Sequence, residues 1–478
     1  MKASRYIFTA AQSNTDVHPQ FWANLLAFRE HLGARLFVGT YTYNKRGMSA
    51  KGAKRKTSAE TDKDGEWWDD KIADYIWDER KTIAPGLEWC GEMQIMPTAV
   101  DPLSGMEGYT GRQSSIFPHA KLAMASVPSG GAEELTKLVY TTGACTVPNY
   151  IQKKAGLKAQ FHHSVGALLV EYDPSCGWFA RQISADHDGN FQDLLTEVRG
   201  GHVLPDPAPV EAVIWGDIHV AQLDGSVYVA GWLGEDAMLD TLRPKYQFFH
   251  DLFDGQSLQK HSRAKNLHHQ LYRVWAKGKW SVEAELRDTR GFLERTYRDW
   301  CRSVVVNSNH DQMLDHWLQT TSHRDDQANA LFYLKAELFI HDWMRLYGDT
   351  KYDPPLLQWA LNNCMGEEEN LPVTFLNEDE SFIICPDANG GIECGMHGHR
   401  GPNGGRGMIR NIARMGRKSV IGHSHSAGIF EGCYQVGLSG KVQQGYNKGP
   451  SSWTHTHCVV YPNGKRTLVT MHKGQWRA

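Results

Sequence analysis

The first 45 residues alternate between strand-like and helix-like patterns of apolar positions. RYIFTAA is a short apolar run, HPQFWANLLAFREHLGA has apolar residues at helical spacing, and RLFVGTYTY is strand-like again. Residues 5–45 therefore predict a strand, a helix and a second strand. Between about residues 85 and 200, short β-like runs are separated by glycine, proline and aspartate. The pattern of this half of the chain is typical of an α/β unit.

A proline-rich segment, GHVLPDPAPV at 201–210, predicts a domain boundary. We therefore expect an N-terminal α/β domain over residues 1–205, of unknown role, and a second α/β domain over 206–478. In the second domain strand-like and helix-like patterns alternate, and a helical insertion is predicted at about 312–372. The C-terminal stretch THCVVYPNGKRTLVTM predicts a β-hairpin, and its Asn463-Gly464 pair predicts a type I′ turn.

Composition excludes few functions. A length of 478 residues favours more than one core, and a formal charge of -3 gives no global signal for nucleic acid or for an anionic membrane. Nine scattered cysteines without a C-x-x-C spacing argue against a disulfide framework and favour a reducing compartment. Because no run of about 18 apolar residues occurs, we expect a cytoplasmic protein without a membrane partner. The charged stretch 46–66 predicts a surface loop, with a nucleic-acid contact as the alternative.

Side chains that can bind metals follow five strand-like runs of the second domain. They are Asp217 and His219 after EAVIW, Asp251 and Asp254 after YQFF, Asn309 and His310 after SVVV, His397 after GGIE, and His423 and His425 after KSVI. In an open α/β sheet the carboxyl ends of the strands border the ligand-binding crevice. Carboxylates, imidazoles and an amide without thiolates suit Mn²⁺, Mg²⁺, Fe or Zn²⁺. The set exceeds what one ion needs, which favours two ions about 3.5 to 4 Å apart.

The ordered series D-x-H, D-x-x-D, N-H-D, H and G-H-x-H resembles the calcineurin-like metallophosphoesterase superfamily over roughly residues 211–440. The resemblance implies a two-sheet α/β sandwich with a dinuclear metal centre, here with the additional N-terminal α/β domain. It also implies which residues bind each ion: Asp217, His219 and His425 bind one metal, Asn309, His397 and His423 bind the other, and Asp251 bridges them. Two manganese ions are expected, with magnesium, iron or zinc as alternatives.

The same resemblance implies a catalytic pair. His310 would stabilise the transition state and protonate the leaving oxygen, and Asp254 would orient His310. The nucleophile would be a metal-bound hydroxide, so no covalent enzyme intermediate is expected. The chain departs from the family at His250 and Ser308, where glycines are usual, and at Gly255, where phosphoprotein phosphatases have an arginine. His399, two residues after His397, is an alternative ligand.

The amino-acid sequence of residues 397–407, 422–432 and 446–466 resembles that of phosphoesterases of tailed phages, some of which degrade or transfer DNA. A helix carrying Arg406, Arg410 and Arg414 on one face, with Arg400 nearby, would place a basic surface beside the metals; a solvated helix face is the alternative. His455 and His457 could line the substrate edge or simply alternate along a strand.

These observations predict a metal-dependent phosphodiesterase that hydrolyses DNA, in the host cytoplasm if the chain is encoded by a phage. The first alternative is a phosphomonoesterase or a cyclic-nucleotide phosphodiesterase for small molecules. The second is a DNA-binding protein that keeps metals only for stability, against which His310 and Asp254 argue because binding needs no proton donor. A homo-oligomer is compatible with the sequence.

Overall fold

The computed structural model describes residues 4–43, 67–129, 136–258, 272, 275–348, 353–366, 369–445 and 447–477. The charged loop expected at 46–66 lies outside these ranges. None of the helices in the described ranges has the length and apolar content needed to cross a membrane. All nine cysteines are free.

The strands, in chain order, are β1 (Ser4–Gln12), β2 (Arg35–Tyr41), β3 (Arg80–Ala84), β4 (Leu87–Cys90), β5 (Ser114–Phe117), β6 (Met124–Val127), β7 (Lys137–Thr141), β8 (Gly166–Asp173), β9 (Gly177–Ser184), β10 (Phe191–Asp193), β11 (Thr196–Arg199), β12 (His202–Val203), β13 (Ala212–Ile214), β14 (Tyr246–Phe249), β15 (Arg302–Val305), β16 (Thr374–Phe375), β17 (Ile383–Ile384), β18 (Ile392–Glu393), β19 (Lys418–Ile421), β20 (Gly428–Phe430), β21 (Cys433–Gln435), β22 (Thr456–Val460) and β23 (Arg466–Thr470). The α-helices are α1 (Pro19–Leu32), α2 (Lys154–Phe161), α3 (Gly225–Tyr228), α4 (Met238–Leu242), α5 (Val282–Thr296), α6 (Met313–Thr320), α7 (Ala330–Tyr347), α8 (Leu356–Asn363) and α9 (Ile409–Ile412).

The N-terminal strand-helix-strand prediction is confirmed. β1 and β2 pair in parallel and α1 connects them, in a four-stranded sheet of order β2-β1-β8-β9. The imidazole of His18 caps α1 by accepting a hydrogen bond from the Phe21 N–H, and Gly33 ends the helix in the left-handed conformation (φ 60°).

A six-stranded sheet, of order β16-β15-β14-β13-β22-β23, contains the first three predicted ligand segments. Its strands β13 to β16 are parallel to one another, so their carboxyl ends meet at one edge. The helical insertion is observed as α6, α7 and α8. One face of this sheet packs on helices, since Val213, Phe249 and Val305 share a buried cluster with Leu286 of α5 and Trp317 of α6.

A ten-stranded sheet, of order β17-β18-β19-β21-β20-β6-β7-β5-β4-β3, carries the remaining ligand segments. It covers the other face of the six-stranded sheet, because Ile214 and Phe248 lie in one buried cluster with Ile392 and Val420. The chain is thus a mixed α/β structure in which two mixed sheets pack face to face and helices such as α5 and α6 cover the outer face of the six-stranded sheet.

The ten-stranded sheet crosses the boundary expected near residue 205. β6 pairs antiparallel with β20, aligning Met124 with Ile429, so strands from both sides of the predicted boundary share one sheet. The boundary therefore separates sequence segments but does not separate sheets. Proline spacing could not reveal this pairing, because it joins residues about 300 positions apart.

The C-terminal hairpin of β22 and β23 is observed, but its turn differs from the type I′ prediction. Only Gly464 has positive φ (75°), whereas a type I′ turn requires positive φ at both central residues. The Gly464 N–H donates to the Tyr461 carbonyl across Pro462 and Asn463. Proline at the second position favours a type I turn followed by a left-handed glycine.

A buried ion-pair network ties β8, β9 and β10 together. The Arg181 guanidinium donates to Glu171 (Nη1–Oε2, 2.8 Å) and to Asp193 (Nη2–Oδ2, 2.8 Å), and its side chain is only 6% exposed. Arg5 also donates to Glu171 (2.9 Å), but its side chain is 49% exposed.

Replacing Arg181 by Met should lower the free energy of unfolding by about 3–5 kcal/mol, because Asp193 would be left buried and unpaired and Glu171 would keep only Arg5. Arg5→Met is the matched control and should cost about 0–1 kcal/mol, since its pair is half-exposed. Urea unfolding followed by circular dichroism measures both, and equal losses would contradict the account.

Candidate metal centre

Five loops at the carboxyl ends of strands converge where the two large sheets meet. The loops after β13, β14 and β15 come from the six-stranded sheet, and those after β18 and β19 from the ten-stranded sheet. All seven predicted metal ligands lie in these loops, and the structure brings them together. They are Asp217, His219, Asp251, Asn309, His397, His423 and His425.

The first ligand group consists of Asp217, His219, Asp251 and His425, all buried, whose ligand atoms lie within 4.8 Å of one another. Nε2 of His425 is 3.0 Å from Nε2 of His219 and 3.2 Å from Oδ2 of Asp217. Nε2 of His219 is 3.6 Å from Oδ2 of Asp251. Two carboxylates and two imidazoles thus face one small volume.

The second group consists of Asp251, His397 and His423. Nε2 of His397 lies 3.3 Å from Oδ2 of Asp251 and 3.1 Å from the amide oxygen of Asn309. Asp251 belongs to both groups, which is the geometry that a bridging carboxylate between two ions requires.

Within the described residues, Asp217 and Nδ1 of His425 in the first group lack the hydrogen-bond partners that burial demands. Neither carboxylate oxygen of Asp217 accepts a hydrogen bond from any residue that the structure describes, although the side chain is fully buried. A buried ionised carboxylate without hydrogen bonds is strongly destabilising unless a cation compensates it. The donor set of aspartate, histidine and asparagine suits a divalent ion such as manganese. The residues therefore fit metal ions.

The backbone is strained at four of the ligands. His219, Asp251, His423 and His425 have φ values of 46°, 46°, 74° and 60°, in the left-handed region that residues with a Cβ rarely adopt. Each such residue costs on the order of 1–3 kcal/mol, and such residues concentrate at functional sites. The four strained residues aim their side chains into one centre, so we infer that ligand geometry rather than loop stability selected these conformations.

Gly422, in the turn between β19 and His423, makes a close approach that only glycine permits. A Cβ at this position would lie 2.2 Å from Oδ1 of Asp217. The missing side chain thus lets the loop that carries His423 and His425 reach the loop that carries Asp217.

The carboxylates within the centre favour positive charge on the groups around them. Burial alone would raise the pKa of Asp251, but interactions with His397 and His310 outweigh it and hold the pKa well below its usual range. Burial tends to lower the pKa of His219, yet the hydrogen bond to Asp254 and the charge of Asp251 raise it to about 9. The carboxylates thus hold a proton on His219, and a divalent ion would replace that proton.

The Asp-His pair differs from the prediction. The carboxylate of Asp254 accepts a hydrogen bond from Nδ1 of His219 (3.0 Å), whereas its Oδ1 is 3.8 Å from Nδ1 of His310. His310 Nδ1 donates to the backbone carbonyl of Asp254 instead (3.0 Å). The loops after β13 and β14 run side by side, with the His219 N–H donating to the Asp251 carbonyl, and this places the His219 ring beside Asp254. Asp254 therefore orients His219, whose Nε2 could bind a metal.

His250 is a functional candidate that the sequence did not reveal. It is fully buried, and its Nδ1 lies 3.4 Å from Nδ1 of His397, on the opposite side of the ring from Asn309. Burial lowers the pKa of His250 to about 4, so it is neutral and can accept the Nδ1 proton of His397. The only sequence signal for His250 was its position directly before Asp251, where the metallophosphoesterases that the chain resembles have glycine.

Ser308, the other departure from the family pattern, fixes the loop that follows β15. Its hydroxyl donates to Oδ2 of Asp311 (2.7 Å), and Oδ1 of Asp311 accepts from the Phe253 N–H (2.9 Å). These bonds hold the loop bearing Asn309 against the loop bearing Asp251.

The prediction that one helix carries Arg406, Arg410 and Arg414 is wrong. α9 begins only at Ile409, and Arg406 precedes it in an isolated bridge to Arg400, because the glycines and proline of 401–407 do not sustain a helix. Arg400 pairs with Glu378 (2.7 Å), and Arg410 pairs with Asp101. That Arg400, Arg406 or Arg410 contacts DNA stays a prediction.

Protein A1 of Escherichia phage T5 is 36% identical to this chain over 487 aligned residues, and the alignment covers all of this chain and 83% of Protein A1. This chain belongs to the Protein A1 family. No protein-family model matches the sequence, and no solved structure matches it. The relative's name specifies no activity, so the chemistry of this family member is argued from its buried site.

Metal content tests the shared role of Asp251. After loading with Mn²⁺ and desalting, the unmodified chain should retain two ions, Asp251→Ala fewer than one, and His423→Ala about one, because only Asp251 belongs to both ligand groups. Elemental analysis by mass spectrometry measures the ratio of manganese to protein. Two ions retained by folded Asp251→Ala would show that Asp251 does not bridge.

A second test compares the contributions of His250 and His399 to metal affinity. His250→Ala should weaken Mn²⁺ binding about 10- to 100-fold, as loss of partners to ligating histidines commonly does. His399→Ala is the control, because its ring is 5.4 Å from that of His397 but its nitrogens make no hydrogen bond within the described ranges. Isothermal titration calorimetry gives the affinities. A larger loss in His399→Ala would instead make His399 the ligand.

Proposed function

We propose that this protein is a dinuclear metal-dependent phosphodiesterase of the calcineurin-like metallophosphoesterase superfamily, and that its substrate is DNA. The proposal rests chiefly on one observation, the sharing of Asp251 between two groups of buried ligands. The order of the ligand segments along the chain and the packing of two mixed sheets support the same assignment.

The arrangement suits displacement at phosphorus. Two divalent ions would activate water and stabilise the charge that develops on the attacking and leaving oxygens. The protein's own residues would hold the ions in a buried site, with Asp254 orienting His219 and His250 orienting His397. No side chain is required as a covalent nucleophile.

His310 is the proposed proton donor to the leaving oxygen. It lies beside the first ligand group, with its ring centroid 4.5 Å from that of His219, and is slightly accessible (9% exposed). Its Nδ1 donates to the Asp254 carbonyl (3.0 Å), and we assign proton exchange to Nε2 of the same ring. Burial lowers the pKa of His310 to about 4 in the substrate-free protein. A phosphodiester anion beside the ring would raise that pKa. His310 would therefore take up a proton from solvent when the substrate binds.

Two features favour a DNA phosphodiester over a phosphomonoester. Gly255 occupies the position where the resembling phosphoprotein phosphatases have an arginine for the doubly charged monoester. The relationship to a phage protein agrees with the likeness of the C-terminal segments to phage phosphoesterases that act on DNA.

Digestion of DNA tests the proposal. The purified chain with Mn²⁺ should degrade linear or circular DNA, and a gel resolving product lengths distinguishes short oligonucleotides from nicks. Absence of DNA cleavage with Mn²⁺, Mg²⁺ and Co²⁺, together with hydrolysis of small phosphate esters, would reject DNA in favour of a small-molecule phosphoesterase.

The role of His310 has its own test. His310→Asn should lower kcat about 10²- to 10⁴-fold, the usual contribution of a general acid, while the manganese content stays that of the unmodified chain. His316→Asn, on exposed parts of α6, is the matched control and should retain full activity. Full activity in His310→Asn would show that another group donates the proton.

A further inference from the structure

A cavity of about 260 Å³ lies next to His425 of the first ligand group. Trp453 lines this cavity and contacts the centre, with its ring centroid 4.3 Å from that of His425 in an edge-to-face arrangement (77°). The Thr454 N–H, also in the cavity lining, donates to the His425 carbonyl (3.1 Å). The cavity therefore adjoins the first ligand group through His425.

The lining combines an aromatic ring with apolar surface and several uncharged polar groups. Leu138 and Met471 supply apolar atoms, and Thr454, Asn447 and His455 supply polar ones. Pockets of this composition bind flat, partly polar molecules, because the apolar walls hold the ring faces and the polar groups fix the edges. The volume is sufficient for a single ring system.

Asp224 gives the cavity a negative charge. Burial tends to raise the pKa of Asp224, but hydrogen bonds from Ser226 and the nearby His455 outweigh it and lower the pKa, so the carboxylate is ionised at neutral pH. Its Oδ1 accepts from the N–H groups of Ser226 and Val227, whereas Oδ2 makes no hydrogen bond to any part of the chain that is described. An anionic acceptor repels phosphate and attracts an amino group. Lys473, also in the lining, is exposed.

We propose that this cavity binds one unpaired nucleobase of the DNA strand, adjacent to the phosphodiester at the metal centre. The inference rests on the proposed function, since it names the part of the substrate that flanks the reacting phosphate. The base would contact the Trp453 ring, and Asp224 would accept a hydrogen bond from an exocyclic amino group, as carboxylates accept from cytosine N4.

The consequence concerns strand form. A base bound in the cavity is unstacked and unpaired. The free-energy cost of unstacking and unpairing is lowest in single-stranded or frayed DNA. The protein should therefore cleave single strands and strand ends faster than the interior of a duplex.

The test compares substrates with and without bases. Hydrolysis rates are measured with Mn²⁺ on a single-stranded oligonucleotide, on the same strand with abasic residues, and on bis(p-nitrophenyl) phosphate. Trp453→Leu should lower the ratio of kcat/KM on the oligonucleotide to kcat/KM on bis(p-nitrophenyl) phosphate about tenfold or more, as loss of one stacking ring does. Trp280→Leu, an exposed tryptophan (43%) outside the cavity lining, should leave this ratio unchanged.

Abasic DNA separates base binding from damage to the metal centre. If the cavity binds a base, the unmodified chain loses rate on abasic DNA, and Trp453→Leu treats intact and abasic strands alike. An equal loss by Trp453→Leu on all three substrates would overturn the proposal, because Trp453 would then act only through His425. Asp224→Asn should change the preference among the four bases without lowering metal content.

Direct binding distinguishes this inference from the proposed function. Uncharged deoxycytidine and deoxyguanosine should bind the full chain in calorimetric titration, and Trp453→Leu should abolish that binding. If the chain cleaves no DNA yet binds deoxynucleosides in this way, the proposed function fails and the cavity assignment stands. Binding of inorganic phosphate in place of deoxynucleosides, lost in Lys473→Ala, would overturn the cavity assignment.

Discussion

The buried carboxylate of Asp251 is the constraint on which the site depends. It lies within reach of imidazoles from both large sheets, namely His219 and His397, and it is almost inaccessible to water. Burial of this charge together with that of Asp217 is tolerable only if positive charge lies between them. Two cations would satisfy the carboxylates and relieve the close approach of imidazole nitrogens. Folding and metal binding are therefore expected to be coupled in this protein.

The surrounding structure holds this charge in place. The ligand loops come from two different sheets, so their separation is determined by the cluster in which Phe248 and Val420 are buried together. Strands before residue 205 complete the ten-stranded sheet through the pairing of β6 with β20. The N-terminal segment thus braces the strands beside the loop of His423 and His425. Left-handed residues and the close approach at Gly422 then bring the side chains within ligand distance.

The convergence of these side chains could be predicted from the sequence because its determinants are local. Each ligand follows a short apolar strand by a few residues, and parallel strands gather their carboxyl ends at one edge. The C-terminal hairpin and the strand-helix-strand of β1, α1 and β2 were predictable for the same reason. What could not be predicted depends on contacts distant in sequence. The pairing of β6 with β20 has no periodic signal, and the bond from His219 to Asp254 follows from the lateral packing of two loops. The spacing of Arg406, Arg410 and Arg414 suggested a helix, but glycine and proline before Ile409 decided the local conformation.

The measurement that tests the central claim most directly is anomalous X-ray diffraction from crystals grown with Mn²⁺. The account predicts two anomalous peaks about 3.5 to 4 Å apart, with Asp251 between them, His219 and His425 on one peak, and His397 and His423 on the other. A single peak, peaks elsewhere in the molecule, or none at these side chains would contradict a dinuclear centre.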